Sequence, residues 1–200
     1  MKLLLHCCCA PCAVACIESL AATSETAESG LATSGLVESD APTLFWYNPN
    51  IHPLAEYQSR RDVFTAFATA KNLEWVMFGE YGEQEFLNGI GGETETPKRC
   101  ELCYRMRLTQ AAAYAAGKNF DAFSTSLLIS PYQQHDTILR IGEELAAHYG
   151  IEFLYRDFRP LFRQGQNEAR ALGLYMQKYC GCMYSKEERY AEKAKKGNDP

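Results

Sequence analysis

Short apolar runs alternate with amphipathic stretches along most of this chain. The opening run over residues 1–8 predicts a buried strand, and residues 11–22 predict the helix after it, with Pro11 suited to its first turn. The same alternation predicts further strands over residues 43–51, 73–81, 120–134 (with its turn) and 151–158, and further helices over residues 55–72, 101–119 and 135–150. Alternating strands and helices indicate an α/β fold with a mostly parallel sheet and flanking helices.

Three segments depart from this alternation. Residues 25–43 are small, polar and acidic, which predicts a flexible acidic insertion. Residues 82–100 are rich in glycine and acidic residues and predict a loop. Residues 167–196 predict two helical stretches interrupted around a Cys-Gly-Cys sequence, and residues 186–200 are expected to form a helical tail. The whole chain, residues 1–200, is predicted to be a single α/β domain.

Composition narrows the class of protein. The chain has 200 residues, of which 46% are hydrophobic and 22% charged, as in globular proteins large enough to bury a core. No stretch approaches the ~20 consecutive apolar residues of a membrane-spanning helix. His6, several cysteines and Pro11 interrupt the opening apolar run, so it is a poor signal peptide and a cytoplasmic location is expected. The net charge of −5 disfavours general nucleic-acid binding, so any such binding should be local and salt-sensitive.

The cysteines carry the strongest chemical signal. Their number, nine, is odd, so the chain cannot pair every thiol. Seven fall into three tight groups, with Cys7 and Cys16 beside the first: Cys8, Cys9 and Cys12; Cys100 and Cys103; Cys180 and Cys182. Near-adjacent thiols bridge each other poorly but converge well on one metal. The first group follows a predicted strand, where open α/β sheets bind ligands, and the second lies at a predicted helix start, which stabilises thiolates.

These spacings leave three chemistries open. Structural zinc commonly uses two Cys-x-x-Cys pairs, although the pairs here are unusually far apart in the sequence. An iron–sulfur cluster fits the number of thiolates. Dithiol redox chemistry fits Cys180 and Cys182, because a disulfide that closes so small a loop would be strained and easily reduced.

Polar, basic and aromatic residues accompany the cysteine groups. Tyr132 and His135 follow the fourth predicted strand and its hydroxyl residues, which can bind a polar substrate, although helix capping explains the hydroxyls more simply. Asp157 lies in a segment where arginines alternate with aromatic residues. Such residues suit phosphate contacts and base stacking, with a solvated salt-bridged surface as the alternative. The candidate phosphate-binding residues are Arg99, Arg105, Arg156, Arg159 and Arg163.

Five motifs together resemble the epoxyqueuosine reductase family of the QueH type. They read HCCCAPC, GGETETPKRCELCYRMRL, FDAFSTSLLISPYQQH, YRDFRPLFRQG and KYCGCMYS, and they run in order from His6 to Ser185. The resemblance implies a HUP-like α/β domain that reduces the epoxide of epoxyqueuosine in the tRNA anticodon loop, the last step of queuosine biosynthesis. It also implies a [4Fe–4S] cluster, no cobalamin, and an electron donor that the sequence does not identify.

The resemblance assigns roles to the cysteines. It implies Cys8, Cys9, Cys100 and Cys103 as cluster ligands. Cys12 would lie beside the cluster, where the family likeness leaves room for a second, mononuclear iron. Cys180 and Cys182 would be the redox-active pair. Cys7 departs from the family pattern and, by strand alternation, should point away from Cys8.

The resemblance does not decide the source of protons or remove every alternative. An iron site with an open position would act as a Lewis acid on the epoxide oxygen. Tyr132, His135 and Asp157 are the candidate proton donors. A zinc-stabilised binding module and a thiol–disulfide oxidoreductase acting on proteins are the alternative functions. A further alternative, an ATP pyrophosphatase of related fold, is disfavoured because its first strand should end in a Ser-Gly-Gly phosphate loop, where this chain has cysteines.

Overall fold

A computed structural model describes residues 1–28 and 41–197 of the chain. The predicted acidic insertion, residues 25–43, lies largely outside these residues. Its first four residues belong to a helix, and its last residue begins a strand. The predicted tail, residues 186–200, is helical as far as it is described.

The described ranges contain a five-stranded, all-parallel sheet, which confirms the predicted fold class. The strand order is β3-β2-β1-β4-β5. The order reverses between β1 and β4, and ligands bind outside the carboxyl ends of the strands at such a point. The strands are β1 (Leu3–His6), β2 (Thr43–Trp46), β3 (Trp75–Met77), β4 (Ala122–Thr125) and β5 (Glu152–Phe153).

Helices cover both faces of this sheet, so its three central strands, β1, β2 and β4, are buried throughout. Such strands read as continuous apolar runs because neither face meets water. The helices are α1 (Ala10–Glu28), α2 (Leu54–Ala70), α3 (Glu83–Ile90), α4 (Lys98–Gly117), α5 (His135–Tyr149), α6 (Phe162–Ala171) and α7 (Met183–Gly197). Helix α1 packs on α6, and α4 packs on α5. A 3₁₀ turn, Ser126–Ile129, follows β4.

Helix α3 corrects the prediction of a loop over residues 82–100. Phe86 and Ile90 lie one turn apart and bury the same side of this short helix. Gly91, in the left-handed conformation, ends it. Two apolar residues among glycines and acids were too weak a pattern to predict a helix from the sequence. Helix α6 also begins earlier than the predicted helical stretch of residues 167–196.

None of the helices within the described ranges is both long enough and apolar enough to cross a membrane.

Candidate active site

The first cysteine group forms a compact set of thiols directly after β1. The sulfur atoms of Cys8, Cys9 and Cys12 all lie within 4.8 Å of one another. Cys8 Sγ is 3.8 Å from Cys9 Sγ, and hydrogen bonds with Cys12 and Cys9 hold the pKa of Cys8 well below its usual value. Three converging sulfurs, one of them favoured as thiolate, fit a soft metal or an iron–sulfur cluster.

The turn that carries these thiols is fixed by the neighbouring strands. His6 is fully buried, with Nδ1 2.9 Å from Thr125 Oγ1 and Nε2 3.2 Å from the Tyr47 carbonyl oxygen. Burial lowers the pKa of His6 to about 3, so its ring is neutral and serves as a structural link. The Cys8 amide donates to Ser126 Oγ at 3.3 Å. The carboxyl ends of β1, β2 and β4 are thus tied together beneath the thiols.

Cys7 and Cys16 are not part of this set of thiols. Cys7 Sγ donates to the Leu5 carbonyl oxygen at 3.3 Å, and Cys16 Sγ donates to the Cys12 carbonyl oxygen at 3.2 Å. Both are fully buried, and burial raises the pKa of each thiol. They are therefore neutral thiols packed in the core.

The second and third cysteine groups meet at helix α3. Cys103, on α4, and Cys182, just before α7, are buried in one small apolar cluster with Phe86 and Ile90. Burial, together with the charges of the third group, raises the pKa of Cys100 to about 11 and that of Cys103 to about 12. The helix that the sequence pattern did not predict therefore supplies the surface on which these two groups pack.

The loop that carries Cys180 is clamped by a buried arginine. Arg60 NH1 donates to the Cys180 carbonyl oxygen at 2.9 Å, and its NH2 donates to the Tyr179 carbonyl oxygen at 3.0 Å. The His52 amide donates to the Gly181 carbonyl oxygen at 2.9 Å. Gly181 has a φ of +149°, and a Cβ there would lie 2.8 Å from Asn50 Nδ2, so only glycine fits.

Two of the four predicted cluster ligands, Cys8 and Cys9, belong to the compact set of thiols after β1. Within the described part of the chain, Cys8, Cys9 and Cys12 form the one group of three or more candidate ligands close enough to share a single metal ion. Cys100 and Cys103 lie instead toward the third group, whose charges affect the pKa of both. Their assignment as ligands therefore stays a prediction.

A cleft of about 550 Å³ opens beside the thiols. Cys8 and Cys12 from the first group and Cys180 from the third contribute to its wall. Tyr132 and Phe162 form an edge-to-face pair there, with ring centroids 6.2 Å apart, and Tyr132 is 84% exposed. The other polar and charged residues that line the cleft are Ser126, Ser130, Gln133, Gln166, Arg170, Gln177, Lys178, Tyr179, Ser185, Glu188, Arg189 and Glu192.

Of the three predicted proton donors, Tyr132 lines this cleft, whereas His135 and Asp157 do not. His135 is buried, with Nε2 3.2 Å from the Ser130 carbonyl oxygen. Arg159 donates from Nε to Asp157 Oδ1 at 2.8 Å and from NH2 to Asp157 Oδ2 at 2.7 Å. These hydrogen bonds lower the pKa of Asp157 to about 2. Asp157 is therefore ionised at neutral pH and carries no proton to donate.

The five predicted phosphate-binding arginines also lie outside the cleft lining. Arg99 is buried and paired with Glu188, and Arg105 is paired with Glu144. Arg159 pairs with Asp157, and Arg156 donates to the Ser19 carbonyl oxygen at 2.7 Å. Arg163 is exposed on α6.

The cations that do line the cleft, Arg170, Lys178 and Arg189, were not predicted. Arg170 lies seven residues after Arg163 on α6, and that two-turn spacing was the available signal. Arg189 also pairs with Glu192 at 3.4 Å. The predicted arginines and the arginines of the cleft are thus different residues.

Two glutamines that the sequence did not single out contact the thiols. Gln177 Nε2 lies 2.8 Å from Cys9 Sγ and 3.3 Å from Cys12 Sγ. Gln133 Nε2 lies 3.7 Å from Cys180 Sγ, and its Oε1 accepts from the Tyr104 hydroxyl at 2.7 Å. Amide donors aimed at sulfur favour thiolates. Gln133 lies within the third motif and Gln177 directly precedes the fifth, and that proximity to the motifs was the available signal.

The sheet and its cleft define a class: an α/β protein with thiols at the switch point of a parallel sheet. The family described as epoxyqueuosine reductase QueH matches residues 3–188. This chain therefore belongs to the QueH family, as its five motifs predicted.

Relatives of this family cover nearly the whole chain. It is 37% identical over 191 residues to the epoxyqueuosine reductase QueH of Dehalococcoides mccartyi, with 96% of each chain covered. It is 35% identical over 163 residues to the epoxyqueuosine reductase QueH of Thermotoga maritima, and this alignment covers 76% of this chain and 84% of the relative. It is 34% identical over 206 residues to the epoxyqueuosine reductase QueH of Acinetobacter baylyi, and this alignment covers 99% of this chain and 86% of the relative. The alternatives of a zinc-stabilised module and a protein oxidoreductase find no support in these relatives.

Proposed function

We propose that this protein reduces epoxyqueuosine in the anticodon loop of tRNA to queuosine, and that it does so in the cytoplasm. Both C–O bonds of the epoxide break, a C=C bond forms, and the oxygen leaves as water after two electrons and two protons enter. Membership of the QueH family supports the reaction, because the relatives are named for it. The thiol-lined cleft supports the location of the site.

The observation that most directly supports this proposal is that cysteines of two groups line the same open cleft. Cys8 and Cys180 are far apart in the sequence, yet both line it. Its volume of about 550 Å³ lies within the range of about 300–1,000 Å³ that small-molecule sites occupy. We infer that one modified nucleoside, turned out of the anticodon loop, enters this cleft and meets sulfur on two sides.

We propose Cys8, Cys9, Cys100 and Cys103 as ligands of a [4Fe–4S] cluster without cobalamin, with Cys12 beside it on a second iron. The close approach of the Cys8, Cys9 and Cys12 sulfurs supports a metal site here. When bound, these iron groups supply single electrons and a Lewis acid for the epoxide oxygen. Gln177 holds Cys9 and Cys12 in place with its amide.

The dithiol of Cys180 and Cys182 is the proposed source of the electrons and protons that the reaction consumes. Forming one disulfide between them releases two electrons and two protons, the amount that deoxygenation of one epoxide consumes. Cys180 lies on the cleft and Cys182 beneath it, so the pair spans the substrate side and the interior. A donor that remains to be identified then returns two electrons to the disulfide. The strain of so small a ring makes that return easy.

Residues on the rim of the cleft are suited to the RNA. Tyr132 is the proposed platform on which a neighbouring base stacks, because its ring is exposed and braced by Phe162. Arg170, Lys178 and Arg189 are the proposed phosphate contacts. The five arginines predicted from the sequence lie outside the cleft lining, and most of them are engaged with carboxylates or the backbone.

Replacement of Tyr132 by alanine is expected to weaken binding of tRNA that carries epoxyqueuosine by about tenfold, since stacking of one base contributes about 1–3 kcal/mol. Filter binding or fluorescence anisotropy measures the dissociation constant. Tyr132→Phe keeps the ring but removes the hydroxyl, so it should bind normally, and a fall in its turnover alone would identify the hydroxyl as a proton donor. Tyr155→Ala, outside the cleft, is the control. Normal tRNA binding by Tyr132→Ala would contradict the stacking role.

The proposed function is tested on protein purified without oxygen. We expect a brown protein with about four iron and four sulfide per chain, in addition to any mononuclear iron. Supplied with a chemical one-electron donor and tRNA that carries epoxyqueuosine, it should yield a nucleoside lighter by one oxygen atom in mass spectrometry of the digested tRNA. A colourless protein that holds one zinc, or a brown protein that leaves the nucleoside unchanged, would contradict the proposal.

A further inference from the structure

Arg107 is a buried cation at the centre of the cysteine groups. It lies on α4 one turn after Cys103, on the same side of the helix, and its side chain is 1% exposed. Its NH2 donates to Asn48 Oδ1 at 2.7 Å. Asn48 in turn donates to the Cys7 carbonyl oxygen at 2.9 Å, which connects the arginine to the turn after β1.

No carboxylate accompanies this charge in the residues that the structure describes. The other two deeply buried arginines have carboxylate partners: Arg60 pairs with Glu56 at 2.7 Å, and Arg99 pairs with Glu188 at 2.9 Å. Within residues 1–28 and 41–197, Arg107 forms no such pair within 4 Å, and its Nε atom has no hydrogen-bond partner. Burying an uncompensated charge costs several kcal/mol, so a different negative charge must offset it.

Arg107 is placed between the three cysteine groups. Cys103 of the second group lies one turn before it on α4. Through Asn48 it is linked to the Cys7 carbonyl group, directly before Cys8 of the first group. Of the three buried arginines, Arg107 is the one for which cysteines of all three groups, Cys103, Cys8 and Cys180, are among the largest electrostatic influences.

We infer that Arg107 is the fixed counter-charge of the sulfur site, a positioning residue that offsets the negative charge of the thiolates and eases the addition of an electron. A guanidinium keeps its charge at any physiological pH, so it stabilises each reduced state of the site equally from pH 5 to pH 9. The inference rests on the proposed function, because it concerns the iron-loaded site. It adds a role for a residue that is neither a thiol nor part of the cleft wall.

The test compares midpoint potentials, read by visible absorption or electron paramagnetic resonance during an anaerobic redox titration. Arg107→Gln should lower the equilibrium constant for one-electron reduction at least tenfold, which corresponds to about 59 mV. Arg107→Lys keeps a charge and should stay within threefold of the wild type. Asn48→Asp leaves Arg107 in place but gives it a carboxylate partner. It should therefore also lower the equilibrium constant for one-electron reduction, as Arg107→Gln does.

Arg105→Gln is the matched control, because Arg105 lies on the same helix but is exposed and paired with Glu144. It should leave the potential unchanged. Arg107→Gln or Asn48→Asp with a wild-type potential would overturn the inference, and so would an Arg107→Lys protein that behaves like Arg107→Gln. If Arg107→Gln does not fold, the result of Asn48→Asp decides. A wild-type protein without a cluster would overturn the proposed function itself, which is a separate result.

Discussion

The Cys180→Ser protein is expected to keep its iron and sulfide and to reduce epoxyqueuosine at least about 10³-fold more slowly than the wild type. Serine cannot form a disulfide, so the two electrons that deoxygenation consumes lose their proposed source. The backbone around Cys180 should be unaffected, since Arg60 and His52 hold it through carbonyl oxygens. Turnover is measured by mass spectrometry of digested tRNA, with iron and sulfide analysis on the same sample.

A thiol count after a single turnover sharpens this prediction. Wild-type protein without an added donor should lose two alkylatable thiols per substrate reduced, and the Cys182→Ser protein should lose none. Cys16→Ala is the control, because this buried thiol lies outside the converging set and donates to the Cys12 carbonyl oxygen. A Cys180→Ser protein with turnover near that of the wild type would show that the electrons arrive without the dithiol.

The Cys8→Ala protein is expected to lose the iron–sulfur chromophore. Removal of residues that merely support a metal ligand lowers affinity about 10–100-fold, so removal of the ligand itself should cost more. Cys8 is also the thiol of the first group whose pKa is lowered, and thiolate is the form that binds metal. Iron, sulfide and visible absorption are measured after anaerobic reconstitution and gel filtration.

Cys7→Ala is the matched control for this variant, one residue away in the sequence. Its sulfur donates to the Leu5 carbonyl oxygen and is not part of the converging set, so iron content should be unchanged. Cys103→Ala distinguishes the two possible ligand sets. Loss of the cluster in this variant supports four ligands from two groups, whereas full retention would restrict the site to the first group. A Cys8→Ala protein with full iron and sulfide would contradict the metal site.

The difference between the predicted and observed positions of the arginines has a physical cause. Arg99 is a basic residue directly before the second cysteine pair, which made it a candidate for a substrate phosphate. Its guanidinium is instead buried and paired with Glu188, which approaches from α7 at the other end of the chain. Local sequence reports the charge of a residue, but the packing of distant helices decides whether that charge faces solvent.

The same reasoning applies to the candidate proton donors. Asp157 was a candidate proton donor within the fourth motif, yet Arg159 two residues away holds it as an ion on the surface. Tyr132 was another of the candidate proton donors, and it lies in the cleft because the turn after β4 opens there. The sequence identified the candidate residues, but only the tertiary structure showed which of them lines the cleft.

The sequence by itself determined the class of fold and the family. Buried strands and amphipathic helices have periodicities that survive without coordinates, and the three cysteine groups form motifs that are each local in the chain. The tertiary structure decided which thiols meet, that Gln133 and Gln177 contact them, and that Arg107 has no carboxylate partner among the described residues. These properties depend on contacts between segments more than forty residues apart, such as Arg107 with Asn48. Such contacts leave no local pattern because a side chain's burial and partners are set by the packing of the whole domain.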